Sequence, residues 1–546
     1  MDETIENTLA SKFTLCVLPT QWGKTYNAIS KIKKDISQDN EHGTSIHIIF
    51  TMNSLLNNEQ FAKRLDDVEK EFGEGSVCVI NSSKKPCKYK HVSNTLELMG
   101  LCAIKYDRPR VVVMCSNKLR YSDGVEFLKK LNENLNENVL IKRAFVYYDE
   151  LHKYINDSVR KQIEKIHNLE IVNGIMAMTA TPDKIWEPEG NGFWSKLKII
   201  YLDNFSGANY AGYNDMIFNC VDDFSINTIL HKYDEKDRQI IGFIEFVLKR
   251  YPEILENNTM SFIPGNIRRV SHNIIRDLIF SINNKAVVIV INGLDKSIKY
   301  NDDRGNCKTL PLQSYDEEVC ETISRLVLHH KLENRPVVIT GLLCVGMGQT
   351  LLHKSLGSFT SAIFGHLELK NDDMYQLIGR IFGRTKDWGD KYVQTQVYCP
   401  TTIMYRIKAM EECARNMACC HNGEEVCQEQ YREPMNEMDE CKNVKNNFRN
   451  PKKKNNENKT YDTDKEIRTF DTQDEAIEFG KTIKNYFRKR CDSKAPNELQ
   501  ENGNNPSEDY LLKRFWGISE KNTARMVPTI DGKWCVYWRP SLIKND

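Results

Sequence analysis

Two short segments of this chain hold residues whose types and spacing suit chemistry on a phosphate. The first, Pro19-Thr20-Gln21-Trp22-Gly23-Lys24-Thr25, follows the apolar run Phe13 to Leu18. A strand, a Gly-Lys-Thr turn and a helix, in that order, aim backbone N–H groups and a helix N-terminus at an anion, while the lysine reaches its outer oxygens. The second, Asp149-Glu150-Leu151-His152, closes the apolar run Ala144 to Tyr148. Adjacent carboxylates at the end of a buried strand are costly unless a metal and a reacting water use them. Magnesium held between Thr25 and Asp149, with Glu150 taking the proton of an attacking water, would meet both conditions. Together the segments imply a site that cradles a nucleoside triphosphate with Thr20, Gln21, Trp22, Gly23, Lys24 and Thr25, and splits it. The loop departs from the common pattern, with Leu18 where a first glycine falls and Gln21 in place of another, so its backbone is less permissive. Asp149 could also cap a following helix, which leaves catalysis open to it.

Chemistry of this kind needs a rigid frame. β-rich runs alternate with helical stretches at Phe13 to Leu18, Ile46 to Phe50, Val77 to Ile80, Val111 to Cys115, Ala144 to Tyr148 and Gly174 to Thr179. Such alternation predicts a parallel sheet with right-handed crossovers and helices on both faces. A second series, Thr259 to Ile263, Ala286 to Ile291, Val337 to Thr340, Ser361 to Phe364 and Val393 to Tyr398, predicts a second domain of the same class. The expected organisation is a first domain over 1–205, a connector over 206–255, a second domain over 256–410, a polar Asn/Lys-rich linker over 411–467 and a small module over 468–546. In that module Ala476, Ile477, Phe479, Ile483 and Phe487 have helical spacing, and aromatics such as Trp516, Trp534, Tyr537 and Trp538 suffice for a small core.

The totals narrow the class. A chain of 546 residues exceeds one hydrophobic core and predicts roughly three to five units. No apolar run approaches the ~20 residues of a membrane helix, and the acidic start Met1-Asp2-Glu3 lacks a secretory pattern, so the expectation is a soluble intracellular protein without a membrane partner. The 17 cysteines, several in strand-like segments, fit a reducing compartment. The group Cys413, Cys419, Cys420, His421, Cys427 and Cys441 lacks the Cys-x-x-Cys pairs zinc prefers, and reads as free thiols. A net charge of +1 gives no global nucleic-acid signature.

Further segments stand in order around these two. They are Thr179-Ala180-Thr181-Pro182, then Val338-Ile339-Thr340-Gly341 leading to Gly346-Met347-Gly348-Gln349-Thr350-Leu351, and Gln376-Leu377-Ile378-Gly379-Arg380-Ile381-Phe382-Gly383-Arg384. The ordered set, over about residues 13 to 400, resembles superfamily 2 DExH-type helicases. Some segments and the C-terminal module also look like helicase-like proteins of large DNA viruses. The resemblance implies two RecA-like parallel-sheet domains of the P-loop NTPase class with a small C-terminal α+β module, and ATP and Mg2+ as cofactors. It implies that His152, Thr179 and Thr181 couple hydrolysis to domain movement, and that Gln376, Arg380 and Arg384 reach the triphosphate from the second domain. The second arginine follows a glycine at 383, one position later than usual, so either arginine is a candidate finger. Looser matches make Thr51, Asn53, Lys118, Pro264, Gly265, Thr340 and Gly341 candidate nucleic-acid contacts.

The sequence is thus read as an ATPase that moves on or unwinds DNA or RNA, with the C-terminal module a candidate for binding nucleic acid or a protein partner. The alternatives are a nucleotide-driven remodeller of protein partners and a degenerate core that binds nucleotide structurally, the latter opposed by the intact Lys24, Asp149, Glu150 and Arg380.

Overall fold

The computed structural model describes residues 12–39, 44–53, 55–81, 89–103, 108–134, 141–187, 193–200, 207–225, 233–312, 318–342, 350–437, 466–481, 524–528 and 533–538. The chain divides into two units, Met1–Pro451 and Lys452–Asp546.

The first unit contains two sheets, each the centre of a lobe. In the first lobe β1 (Phe13–Val17), β2 (Thr44–Thr51), β3 (Val77–Ile80), β4 (Lys90–Val92), β5 (Val111–Cys115), β6 (Ile141–Asp149), β7 (Val172–Thr179) and β8 (Lys196–Ile199) stand in the order β8-β1-β7-β6-β2-β5-β3-β4. All of these pairings are parallel. Strands covered on both faces should read as unbroken apolar runs, and Val111-Val112-Val113-Met114-Cys115 is buried throughout. The helix Lys24–Ser37 places Ala28, Ile32 and Ile36 one turn apart, and all three are buried.

The register positions the chemistry. Val17 lies opposite Thr179, and Asp149 lies opposite Met178, so three adjacent strands end together. Loops at the carboxyl edge of a parallel sheet are where such folds bind ligands.

The second sheet is built from β10 (Ile217–Cys220), β11 (Met260–Phe262), β12 (Val287–Ile291), β13 (Lys296–Asn301), β14 (Cys307–Pro311), β15 (Val337–Gly341), β16 (Ser361–Ile363) and β18 (Gln396–Cys399), while β9 (Tyr210–Ala211) and β17 (Gly383–Arg384) pair separately. Its order is β10-β18-β16-β11-β15-β12-β13-β14, antiparallel only at the β12-β13-β14 end. That hairpin was not expected from the sequence, because β14 is nearly all exposed and has no apolar run. Of the connector expected over 206–255, the strand Ile217–Cys220 and the helix Glu235–Arg250 are part of this lobe. Its β10 pairs with β18, and its helix Glu235–Arg250 buries Ile241, Phe243, Ile244, Val247 and Leu248 in the lobe's core.

The polar linker expected over 411–467 is a further correction. The helix Thr401–Cys420 runs through 411, the strand Glu425–Cys427 adds antiparallel to β8, and the helix Gln428–Glu437 follows. The chain therefore returns from the second lobe to finish the first lobe's sheet. Few apolar residues do this, chiefly Val426, Tyr431 and Met435, all fully buried, and polar ties do the rest. Arg432 donates to both oxygens of Asp183 at 2.6 and 2.7 Å, and Trp186 Nε1 donates to the Val426 carbonyl at 2.8 Å. A segment with so sparse an apolar pattern reads as solvated. Residues 438–465 lie outside the described residues.

In the second unit, strands Glu466–Phe470, Ala524–Pro528 and Trp534–Trp538 form an antiparallel sheet with the last at its centre, beside the helix Gln473–Lys481. Phe470 and Phe479 pack with ring centroids 5.2 Å apart. Phe515 and Trp516 lie outside the described residues.

Candidate active site

The loop after β1 turns sharply, with the Trp22 N–H donating to the Pro19 carbonyl at 3.3 Å, before Lys24 opens its helix. Gly23 has φ 107°, a conformation glycine adopts freely. Gln21 also takes a left-handed backbone, φ 61°, which costs a non-glycine residue about 1 to 2 kcal/mol. The loop holds that shape because it is braced from behind. Trp22 packs on Tyr210 at 4.4 Å and under the Arg415 guanidinium at 5.1 Å, and Tyr210 Oη donates to the Thr20 carbonyl at 2.9 Å. From the second lobe Gly379 presses on Thr20 so closely that a Cβ there would stand 2.1 Å from Thr20 Oγ1. Any larger residue at 379 would push the loop away.

Lys24 is buried, its Nζ donating to the carbonyls of Leu18 at 3.3 Å and Pro19 at 3.4 Å. It lines a cavity of about 520 Å³ between the lobes together with Thr20, Gln21, Gly23 and Thr25 of the loop, Asp149 and Glu150, and Gln376 and Arg380 of the second lobe. Sequence-predicted residues from three separate segments thus share one space. Trp22 is behind the loop rather than in the cavity wall. Arg384 is also outside that wall: it is exposed, in the two-residue strand Gly383–Arg384 that pairs with Tyr210–Ala211.

Glu150 is a second non-glycine residue with positive φ, 50°. Strained backbone of this kind gathers at functional sites, and here the turn swings the carboxylate over the end of β7. One oxygen, Oε2, accepts from Thr179 Oγ1 at 3.2 Å and from Gln376 Nε2, of the other lobe, at 3.3 Å. Behind it, Thr179 Oγ1 meets His152 Nδ1 at 2.7 Å, and Thr181 Oγ1 meets His152 Nε2 at 3.0 Å. One proton arrangement satisfies all of these contacts: Thr181 donates to Nε2, Nδ1–H donates to Thr179, and Thr179 donates to Glu150. His152 is almost fully buried, so the relay is dry and the position of Glu150 is tied to that of Thr181.

The electrostatics leave room for a divalent ion. Burial, then the charge of Glu150, pushes the Asp149 carboxyl up to about 7 against the pull of Lys24, Arg64 and Arg380. Burial lowers the Arg380 guanidinium to about 10, with Glu150 opposing the shift and Arg64 adding to it. The Asp149 carboxyl stays raised even with these three cations in reach, and Thr25 stands in the same cavity wall. The donor set fits magnesium, which prefers carboxylate and hydroxyl oxygen beside phosphate.

Several participants left no signal in the sequence. Arg64 enters the cavity from the helix Leu55–Arg64. Lys153 Nζ bridges to Asp373 of the second lobe at 2.7 Å, and Tyr210 holds the loop. Lys153 follows the Asp-Glu-x-His segment directly and could have been suspected from that place. Arg64 and Tyr210 could not, since nothing local marks either one.

The candidate nucleic-acid contacts divide. Asn53 and Lys118 are exposed near the ends of β2 and β5, and Asn117 Nδ2 donates to Asn53 Oδ1 at 3.1 Å. Thr51, Pro264, Gly265, Thr340 and Gly341 are buried, so none of them is offered at the surface. They end core strands or follow them directly, where the last residues still pack inward. The segment Gly346 to Gln349 lies outside the described residues.

Residues 2–187 match the family model described as DEAD/DEAH box helicase. No curated protein sequence matches the chain. Similar solved structures include the E. coli DExH-box NTPase HrpB, at 10% identity and TM-score 0.38 over 73% of this chain and 40% of that one. Another is the DEAD-box helicase Mss116 bound to ssRNA and UDP-BeF, at 12% identity and TM-score 0.37 over 80% of this chain and 76% of that one. A third is the Pyrococcus furiosus Hef helicase domain, at 11% identity and TM-score 0.36 over 73% and 94%. The chain spans well under two thirds of the HrpB chain.

Proposed function

We propose that this protein is an ATP-hydrolysing motor of the helicase type, acting on a nucleic-acid strand that crosses both lobes. The observation that carries the reading is Glu150 held from both sides, by Thr179 of its own lobe and Gln376 of the other, at the wall of a cavity that also holds Lys24 and Arg380. Lys24 would leave the Leu18 and Pro19 carbonyls for the phosphate oxygens, exchanging neutral acceptors for charged ones. Thr25 and Asp149 would hold magnesium, which supplies charge neutralisation at the phosphates. Glu150 would orient the attacking water and take its proton; the hydrogen bonds at Oε2 leave Oε1 for that task. Arg380, in the same cavity wall, would meet charge developing on the transferred phosphoryl group when the lobes are together. Hydrolysis changes what Glu150 and Arg380 touch, and the Thr179-His152-Thr181 relay would pass that change into the lobe. Exposed Asn53 and Lys118 are the first-lobe residues we assign to the strand.

Steady-state ATP hydrolysis tests the site. Lys24→Ala should abolish turnover and weaken nucleotide binding. Glu150→Gln should bind triphosphate normally and hydrolyse it at least ~100-fold more slowly, within the range of a general base. Near-normal turnover in Glu150→Gln would remove Glu150 from the chemistry.

A further inference from the structure

Arg64 is the last residue of the helix Leu55–Arg64, outside every segment that the sequence singled out. Its guanidinium crosses the cleft: Nε donates to Glu318 Oε1 at 3.1 Å and Nη2 to Thr350 Oγ1 at 3.4 Å. Arg64, Glu318 and Thr350 all line the same cavity as Lys24, Glu150 and Arg380. Glu318 immediately precedes the helix Val319–His329, where a carboxylate is stabilised by the helix dipole.

As a simple clamp between lobes this pair would be weak. The two side chains are 29% and 24% exposed, and ion pairs so open to water contribute about 0 to 1 kcal/mol. A weak pair is cheap to exchange. The arginine fork matches two phosphate oxygens as well as it matches a carboxylate, and a triphosphate brings more charge than Glu318. Arg64 is also close enough to the reacting groups to pull the Asp149 carboxyl down and to add to the lowering of Arg380.

We propose that Arg64 is a phosphate-sensing residue: Glu318 holds it while the cleft lacks a triphosphate, and the terminal phosphate of a bound triphosphate takes it over. This rests on the reading of the cavity as a nucleotide site. Exchange of partners makes the cross-lobe contact depend on the third phosphate, so the cleft distinguishes triphosphate from diphosphate before chemistry begins. Glu318 competes with the ligand for the same guanidinium.

Equilibrium binding of a non-hydrolysable ATP analogue and of ADP, each with magnesium, to the full chain tests this. Arg64→Ala should weaken the triphosphate about tenfold or more, the size of one charge-assisted hydrogen bond, and change ADP less than about twofold. Arg64→Lys should recover part of that loss, since it keeps the charge but not the fork. Glu318→Gln should tighten the triphosphate several-fold relative to ADP by releasing the arginine. The double variant should match Arg64→Ala, because without the arginine Glu318 has nothing to withhold. Equal weakening of both nucleotides by Arg64→Ala, or a ratio unmoved by Glu318→Gln, would overturn the proposal and leave Arg64 a structural residue. Wild-type protein that binds neither nucleotide overturns both this proposal and the function beneath it.

Discussion

At the scale of single residues the structure separates two arginines that the sequence left equivalent. Arg380 lines the cavity and carries a guanidinium lowered by burial among charged groups, whereas Arg384 is exposed in a short strand outside it. Arg380→Ala should lower the turnover rate by two orders of magnitude or more with nucleotide affinity changed little, the signature of a group acting in the transition state. Arg384→Ala should lower it by less than about threefold; a larger effect of 384 than of 380 would reverse the assignment. Buried histidines set the acid limit of the fold. Burial pushes His47 down to about 3 and His366 to about 4, and lowers His272. His47 and His366 are held neutral when folded, so between pH ~6.5 and ~4 only the unfolded chain takes up the proton at these two sites. Stability should therefore be at its full value above pH ~6.5 and fall by up to about 1.4 kcal/mol per pH unit for each such histidine as pH drops toward 4. Thermal melts at pH 7 and pH 5 measure this, and His47→Gln, whatever it costs at pH 7, should flatten the slope between them.

At the scale of elements, the return of the chain to the first lobe is the least expected feature and the easiest to test. The strand Glu425–Cys427 covers the edge of β8, and Arg432 neutralises Asp183, two residues beyond Thr181. Arg432 is partly exposed but Asp183 is nearly buried, so removing the arginine should cost more than an exposed pair is worth and less than the ~3 to 5 kcal/mol of a fully buried one. Burial already raises the Asp183 carboxyl against the pull of Arg432, so Arg432→Ala should lower Tm by several degrees, and Asp183→Asn on the same background should restore part of it. A chain ending near 450 should fold and keep basal hydrolysis, while one ending near 422 should aggregate, having lost Val426, Tyr431 and Met435 from the core. Equal behaviour of the two would mean that the strand is ornamental. The sequence hid this element for a physical reason: three buried apolar side chains among polar ones give no periodic signal. Long runs such as Val111 to Cys115 were legible because a doubly covered strand needs an apolar residue at every position.

At the scale of the whole molecule, two parallel-sheet lobes were readable from alternating strands and helices, and so was the membership of the site, since Lys24, Asp149, Glu150, Gln376 and Arg380 do share one cavity. Contacts across the cleft were not readable. Arg64 with Glu318, and Lys153 with Asp373, join residues far apart in the chain, and no local pattern announces a long-range ion pair. Of the residues expected to meet a nucleic acid, Thr51 and Thr340 are buried, because the last residues of a core strand still pack inward. None of the described helices is long and apolar enough to cross a membrane. The central claim is that hydrolysis in the cleft is coupled to a strand on both lobes. Its most direct test is the ATP hydrolysis rate of the full chain, measured side by side with no nucleic acid, single-stranded DNA, single-stranded RNA, duplex DNA and duplex RNA. At least one of these should raise the rate several-fold, and raising the salt concentration should abolish the increase. Hydrolysis at one rate under every condition would contradict it, and would leave a nucleotide-driven remodeller of protein partners as the better reading.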